Sequence, residues 1–470
     1  MNTISTAEQT AAPALQKETT VGNYFVSNYP PFSFWKPEFI PELQAALDRP
    51  PGRVSGVECQ VPEKEHGTRN THHASSLNPL GLYVHIPFCR KRCHFCYFKV
   101  YTDKDSAQIR KYLDAVLREF ELYAGRQFIG GRKLDFIYFG GGTPSYLSIQ
   151  QLRHLTEGMK KLLPWDEAEE IAFEGEPGTL TADKLKAIRD LGVTRLSLGV
   201  ENFDDHILEI NGRAHHSKEI ARAYEGARAA GFPQVNIDLI AGMMEETEAN
   251  WQQCVRKTIE LSPESVTIYE MEIPFNTTIY RQMKSEGKLV APVADWETKR
   301  RWVSYAFEEL EKAGYAVGSA YTAVKDPART KFLYRDRLWA GADLLSLGVA
   351  SFGHIGGTHY QNLTDFEPYL ARLEAQELPI GRALTPTDDE RLIREFILQL
   401  KLGHVSRAYF RQKFGLELSE RFAEPLQRLQ DWGYLDIADD QVRLNRDGLL
   451  QVDRLLHEFF LPQHRNTRYV

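Results

Sequence analysis

"LYVHIPFCRKRCHFCYF", residues 82–98, opens as an apolar, β-branched run and closes on Cys89, Cys93 and Cys96. A strand that hands directly to a cluster of reactive side chains suits one class of fold best. In parallel α/β proteins the ligand site lies at the carboxyl ends of the strands, so chemistry collects where strands finish.

The chain downstream repeats this arrangement. Short β-branched runs recur as "LDFIYFGGG" (134–142), "EIAFEGEP" (170–177), "RLSLGVE" (195–201), "QVNIDLIAG" (234–242) and "SVTIYEME" (265–272). Amphipathic stretches such as "DSAQIRKYLDAVLREFELYAG" and "TADKLKAIRDLG" separate them, the second starting at a Thr cap and ending at Gly. Such strand–helix units in series predict a parallel sheet. The fold class is α/β, with a partial or complete (β/α) barrel over residues 81–325. Glycine or polar residues finish nearly every strand: Gly140–Thr143, Glu174, Glu201, Asp238 and Glu270. One site assembled from all these strand ends is the expectation.

The flanks read differently. Residues 1–20 are polar and are expected to be a disordered tail. Residues 21–80 are an aromatic and proline-rich extension followed by a linker. "VGNYFVSNYPPFSFWKPEF" (21–39) is too bulky for a plain linker and is expected to pack on something or cover a site. The polar stretch after it carries His66, His72 and His73, read as solvated loop residues. Residues 326–380 are a connecting segment that completes the active-site cavity, and 381–470 read as a C-terminal helical, winged-helix-like domain. That domain lacks a basic stripe, so a cap or docking unit suits it better than a DNA reader.

A length of 470 residues implies more than one ordinary domain, and 42% hydrophobic with 26% charged residues suits a globular chain with a sizeable core. The net charge of −7 gives no reason to expect nucleic acid or an anionic membrane as partner. No apolar run reaches the roughly 18 residues of a membrane span. Five cysteines, three of them clustered, do not make a disulfide framework. They imply a reducing, cytoplasmic location and a metal or redox site. Cys254 falls in a helical pattern and is expected in the core, and Cys59 receives no role.

A closed structural zinc site takes four protein ligands. A 4Fe-4S cluster normally has one Cys thiolate per iron, so three thiolates leave one iron open for another ligand. Three buried structural cysteines, or zinc completed by His85 or His94, are the alternatives.

The C-x3-C-x2-C motif after a first strand, followed by "GGGTP" (140–144), resembles the radical S-adenosylmethionine superfamily. "YVHIPFCRKRCHFC" is similar to the branch typified by oxygen-independent coproporphyrinogen III oxidase, which also holds heme chaperones and class C methyltransferases. The likeness continues through "RLSLGVENFDDHILEINGR" (195–213), "VNIDLIAGM" (235–243), "DLLSLGVASFGH" (343–354) and "YQN" (360–362). It implies a 4Fe-4S cluster on Cys89, Cys93 and Cys96, with S-adenosylmethionine (one molecule, two in the oxidase) chelating the open iron. One electron then splits the sulfonium to methionine and a 5′-deoxyadenosyl radical.

The resemblance also assigns contacts to the cofactor. Glu174 would take its amine, Arg213 its carboxylate and Asp238 its ribose hydroxyls. Gly140, Gly141, Gly142 and Thr143 would offer backbone N–H groups, and Phe95 would stack beside the adenine or shield the cluster. Tyr83 matches a further cofactor-contact position. Tyr83, Glu201 and His354 are the candidate catalytic residues. The implied partners are a tetrapyrrole substrate and a reductant such as flavodoxin or ferredoxin. Plain structural roles stand beside these: a salt bridge for Glu174 and Arg213, a turn for the glycines, packing for Phe95, and a hydrogen-bonded core position for His354.

The pattern departs from the oxidase in places. Phe98 stands where the oxidase has a further cysteine, and Glu201 where it has Gln. The stretch "KFLYRDRLWAGADLL" (331–345) lacks the Phe-Gln pair that helps bind the second cofactor molecule, and the chaperone motif His-Asn-x-x-Tyr-Trp is missing too. "IPFNTTIY" (273–280) is closer to the chaperone and methyltransferase branches. Three activities therefore remain: oxidative decarboxylation of a tetrapyrrole, radical C-methylation, or heme trafficking.

Overall fold

A computed structural model describes residues 23–52, 77–287 and 292–465 of the chain. The predicted tail, Cys59 and the three linker histidines lie outside the described residues.

The six predicted strands all form: β1 (Leu80–Ile86), β2 (Phe136–Gly141), β3 (Glu170–Gly175), β4 (Arg195–Glu201), β5 (Gln234–Ala241) and β6 (Ser265–Glu270). They pair in parallel and in sequence order. Helices Ser106–Ala124, Ile149–Lys160, Ala182–Asp190, Ser217–Ala230 and Glu248–Leu261 make the crossovers. Their starts follow from side-chain caps: Asp105 and Gln108 form a capping box, and Thr181 accepts from the Lys184 amide.

The sheet extends on both sides and stays open. On one side come β7 (Ala316–Val317) and β8 (Thr322–Val324), with β8 antiparallel to β6. On the other, β9 (Asp343–Leu347) runs parallel to β1 and leads into an antiparallel meander of β10 (Phe352–Ile355), β11 (Thr358–Asn362) and β12 (Ile380–Leu384). The order β12-β11-β10-β9-β1-β2-β3-β4-β5-β6-β8-β7 leaves β12 and β7 as its two ends, so the barrel is partial.

Residues of β4, β5 and β6 alternate between two environments, as the two-residue period of a strand requires. Leu196, Leu198, Ile237, Leu239, Val266 and Ile268 join the core shared with the helices. Arg195, Ser197, Asn236, Asp238, Thr267 and Tyr269 line the concave face.

The C-terminal region builds a second core from the helix Asp388–Leu400 and its neighbours, with a small sheet of β13 (His404–Ser406), β14 (Leu435–Ala438) and β15 (Gln441–Leu444). Val26 and Tyr29 of the N-terminal segment are buried in that core. The same segment is stitched to the rim of the barrel: Asn23 Nδ2 donates to Glu270 at 2.8 Å and the Phe25 amide to Glu272 at 2.6 Å. The aromatic extension does pack, and it binds the C-terminal region to the mouth of the sheet. Among the described residues no helix is long and apolar enough to cross a membrane.

Candidate active site

A cavity of about 420 Å³ opens at the carboxyl ends of β2–β6, with the cysteine loop along one wall. Cys89, Cys93, Cys96, Phe95, Gly141, Gly142, Thr143, Glu174, Glu201, Arg213 and Asp238 all line it. The expected convergence of strand ends on one site is what the fold produces.

Two sulfurs receive hydrogen bonds. Thr143 Oγ1 donates to Cys89 Sγ and Arg213 Nη1 to Cys93 Sγ, each at 3.3 Å. Donors aimed at sulfur favour thiolate, the form that binds iron. Burial works the other way and outweighs these donors, leaving the Cys89 thiol pushed up to about 12 and Cys96 up to about 11. Iron binding would therefore displace protons from these thiols. His94 Nδ1 lies 2.9 Å from the Ile210 carbonyl. Among the described residues no group of three or more His, Cys, Asp or Glu side chains closes on a point as a single-ion site would. The three cysteines along one wall fit a cluster of several irons, each thiolate taking its own.

Carboxyl groups and guanidinium face these thiols. Burial pushes Glu174 up to about 7, while the bonds it accepts from Tyr138 Oη (2.6 Å) and the Gly141 amide (3.1 Å) pull it down. Glu201 is likewise raised by burial to about 7, with Arg213 the opposing influence. Its backbone has φ of +64° at a register shift in the β4–β5 pairing. A non-glycine residue there carries strain of about 1–2 kcal/mol, and the bulge turns the carboxylate into the cavity. Arg213 lies between Glu201 (3.4 Å) and the Gly199 carbonyl (2.5 Å). Burial opposes its charge, but Cys93 and Glu201 outweigh that and hold it above its ordinary value. Asp238 accepts from Ser197 Oγ and Asn236 Nδ2, both at 2.8 Å, so its carboxylate is held in one orientation.

Three expectations are corrected. His354 is not in the cavity: it sits on β10, with β9 between it and β1. Its Nδ1 lies 3.2 Å from the Ala342 carbonyl, its ring is 4.6 Å from that of His359, and burial drives its pKa down to about 3. It is the core histidine of the two readings. Tyr83 is not among the residues lining the cavity; its ring stacks on that of Tyr138, with its hydroxyl 3.2 Å from His85 Nδ1. The glycine loop is not a set of free donors. The Gly141 amide is bonded to Glu174, the Gly142 amide to the Ile86 carbonyl at 2.8 Å. Gly140 is absent from the cavity wall.

Sequence reading missed Tyr138, Arg195, Ser197, Asn236, Thr267, Phe332 and Phe25, which also line the cavity. The polar positions in "RLSLGVE" and "QVNIDLIAG" fall at every second residue, and that period was the available signal for Arg195, Ser197 and Asn236. Phe25 and Phe332 arrive from the two segments expected to cover or complete the site, though neither residue was singled out within them. Cys254 is core, as expected, donating its thiol to Asn202 at 3.2 Å.

An open parallel sheet whose strand ends carry three thiols opposite a carboxylate–guanidinium set defines the class: a radical S-adenosylmethionine fold. The Radical SAM superfamily model matches residues 83–257, and the HemN C-terminal domain model residues 387–450. The heme chaperone HemW of Bacillus subtilis is 30% identical over 370 residues, covering 78% of this chain and 96% of the relative. The oxygen-independent coproporphyrinogen III oxidase of Pseudomonas aeruginosa is 29% identical over 424 residues, covering 86% and 90%. The structure of the Escherichia coli coproporphyrinogen III oxidase HemN matches with a TM-score of 0.76 at 23% identity, over 93% of this chain and 96% of that one, a likeness of fold. The chain belongs to the radical SAM family of HemN-like coproporphyrinogen oxidases and HemW heme chaperones.

Proposed function

We propose that this chain is a radical S-adenosylmethionine enzyme acting on a tetrapyrrole or comparably flat substrate, with oxidative decarboxylation of a propionate side chain as its reaction. The observation that carries the reading is the sharing of one cavity by three cysteines, two of them hydrogen-bonded at sulfur, and by Glu174, Arg213 and Asp238.

Cys89, Cys93 and Cys96 would hold a 4Fe-4S cluster, and Glu174, Arg213 and Asp238 would receive the amine, carboxylate and ribose of S-adenosylmethionine. When bound and reduced, the cluster supplies the electron that cleaves the sulfonium and gives a 5′-deoxyadenosyl radical for hydrogen abstraction. The protein's own part is placement and exclusion of water. Glu174 must be ionised to meet an ammonium, and the Tyr138 hydroxyl and Gly141 amide hold its carboxylate toward that form. Arg213 spans the cysteine wall and the β4 end, which suits it to grip a carboxylate beside Cys93. Tyr269 and Phe332 supply flat apolar faces on the substrate side.

Heme trafficking is the second reading. It is favoured by similar identity to a HemW chaperone and by Phe98, about half exposed, in the position where the oxidase has cysteine. Anaerobically reconstituted protein with reductant, S-adenosylmethionine and coproporphyrinogen III separates the readings by mass spectrometry. The proposed activity yields 5′-deoxyadenosine and a decarboxylated vinyl product. A methylated product with S-adenosylhomocysteine would mean C-methylation instead. Stoichiometric heme binding without cofactor cleavage would mean trafficking.

A further inference from the structure

A knot of charges that the proposed chemistry leaves unused adjoins the cysteine loop at the cavity wall. Arg90, the residue after Cys89, donates from Nε and Nη2 to the two oxygens of Glu176, at 3.2 and 3.0 Å. Its Nη2 also donates to the Ala214 carbonyl at 2.8 Å. Glu176 lies just past the end of β3, two residues beyond Glu174, and accepts from the Gly178 amide at 3.0 Å. His215, fully buried, places Nδ1 3.2 Å from Glu176 Oε1 and Nε2 3.2 Å from the Val200 carbonyl. Two residues before His215, Arg213 donates to Cys93 Sγ. These contacts, with the chain links Cys89–Arg90 and Arg213–His215, form a circuit that joins Cys89 through Arg90, Glu176, His215 and Arg213 to Cys93.

Gly178 shows that the fold is shaped around this circuit. A Cβ at that position would stand 2.0 Å from Arg90 Nη2 and 2.9 Å from Glu176 Oε1. The φ of Gly178 is not in the left-handed region, so the missing side chain answers to space, not to backbone conformation. A paired fork of this kind fixes direction as well as distance, which a single contact from a flexible lysine does not.

We propose that Arg90, Glu176 and His215 form a positioning clasp that holds two residues of the cysteine loop, Cys89 and Cys93, at a set separation against the β3 and β4 ends. The inference rests on the reading of these cysteines as iron–sulfur ligands. Arg90 and Glu176 also stand on the cavity wall, and the role assigned to the clasp is positioning. It acts through Arg213 and the loop backbone, and so governs how firmly the iron–sulfur group is kept and how the cofactor-binding arginine is presented.

Gly178→Ala and Arg90→Met test it in the full-length reconstituted protein. The first keeps every charge and displaces the guanidinium; the second removes the charge at a partly exposed position. Iron release to a chelator is timed, the electron paramagnetic resonance spectrum of the reduced protein is recorded, and iron-free samples are melted to check the fold. Groups that orient metal ligands typically change affinity on the order of 10- to 100-fold when lost, and both variants should release iron faster by that factor. Their spectra should shift alike, with iron-free melting near wild type for Arg90→Met. Release within about twofold of wild type in folded Arg90→Met overturns the clasp. So does a change in Arg90→Met with none in folded Gly178→Ala, because the effect would then be one of charge. Wild-type protein that takes up no iron would sink the iron–sulfur reading itself, a separate failure.

Discussion

Replacing Gly142 by alanine asks whether the strand-end glycines serve the protein or a bound molecule. A Cβ there would lie 2.9 Å from the Ile86 carbonyl oxygen, 2.9 Å from the Pro87 carbonyl carbon and 3.1 Å from Cys89 Sγ. Ordinary carbon contacts run at about 3.5–4.0 Å, so the neighbours must retreat by about half an ångström or more. Two of those neighbours are backbone. They are held by the parallel register of β1 on β2 and by the 2.8 Å bond from the Gly142 amide to Ile86. No φ penalty is added, because Gly142 is outside the left-handed region. Overpacking of this kind costs about 1–3 kcal/mol, and the stiffness of the strand ends places Gly142→Ala in the upper half of that range. The assay is denaturant unfolding of iron-free protein by circular dichroism, where the midpoint should fall while the slope holds. Iron uptake should fall too, since Cys89 must move. An iron-free variant that unfolds at the wild-type midpoint, and suffers only in cofactor binding, would refute the packing argument.

Three further outcomes are expected. Cys93→Ala should abolish the brown chromophore and cofactor cleavage on reconstitution; unchanged iron content would contradict the ligand assignment. Binding of S-adenosylmethionine to iron-loaded protein, followed by equilibrium dialysis, should tighten as pH rises through about 7, where Glu174 ionises. Glu174→Gln should flatten that profile and weaken binding on the order of 10- to 100-fold, the equivalent of one charged hydrogen bond. Glu119, Glu174 and Glu201, all raised to about 7 by burial, should each withdraw stability from the iron-free chain as pH rises between the ordinary carboxyl value of 4.5 and about 7, while His85 and His354, lowered by burial to about 4 and about 3, act the other way. At these three carboxyls the folded state holds more protons than the unfolded state in that window, so their contribution to stability falls as pH rises through it. A difference in melting temperature between wild type and Glu201→Gln that stays constant from pH 5 to pH 7 would show that Glu201 does not hold this proton in the folded chain.

The three-cysteine spacing, the β-branched runs and the polar strand ends were enough to place a parallel sheet and one site at its carboxyl edge. Those features are local, repeat with a fixed period, and have few alternative readings. Thr181, Asp105 and Gln108 likewise announced their helices through side chains that bond within a turn. Sequence could not decide which residues of the family pattern face the cavity. Tyr83 and Tyr138 sit at the same level on adjacent strands, and only the packing of their rings puts one on the wall and not the other. His354 looked equally able to serve catalysis or the core until the meander β9–β11 carried it away from the cavity. Phe25 at the rim, the Arg90–Glu176–His215 circuit and the spare glycine beneath it join segments distant in the chain. A periodic pattern records how a segment meets its immediate surroundings. Which distant segment supplies those surroundings is set when the whole chain packs.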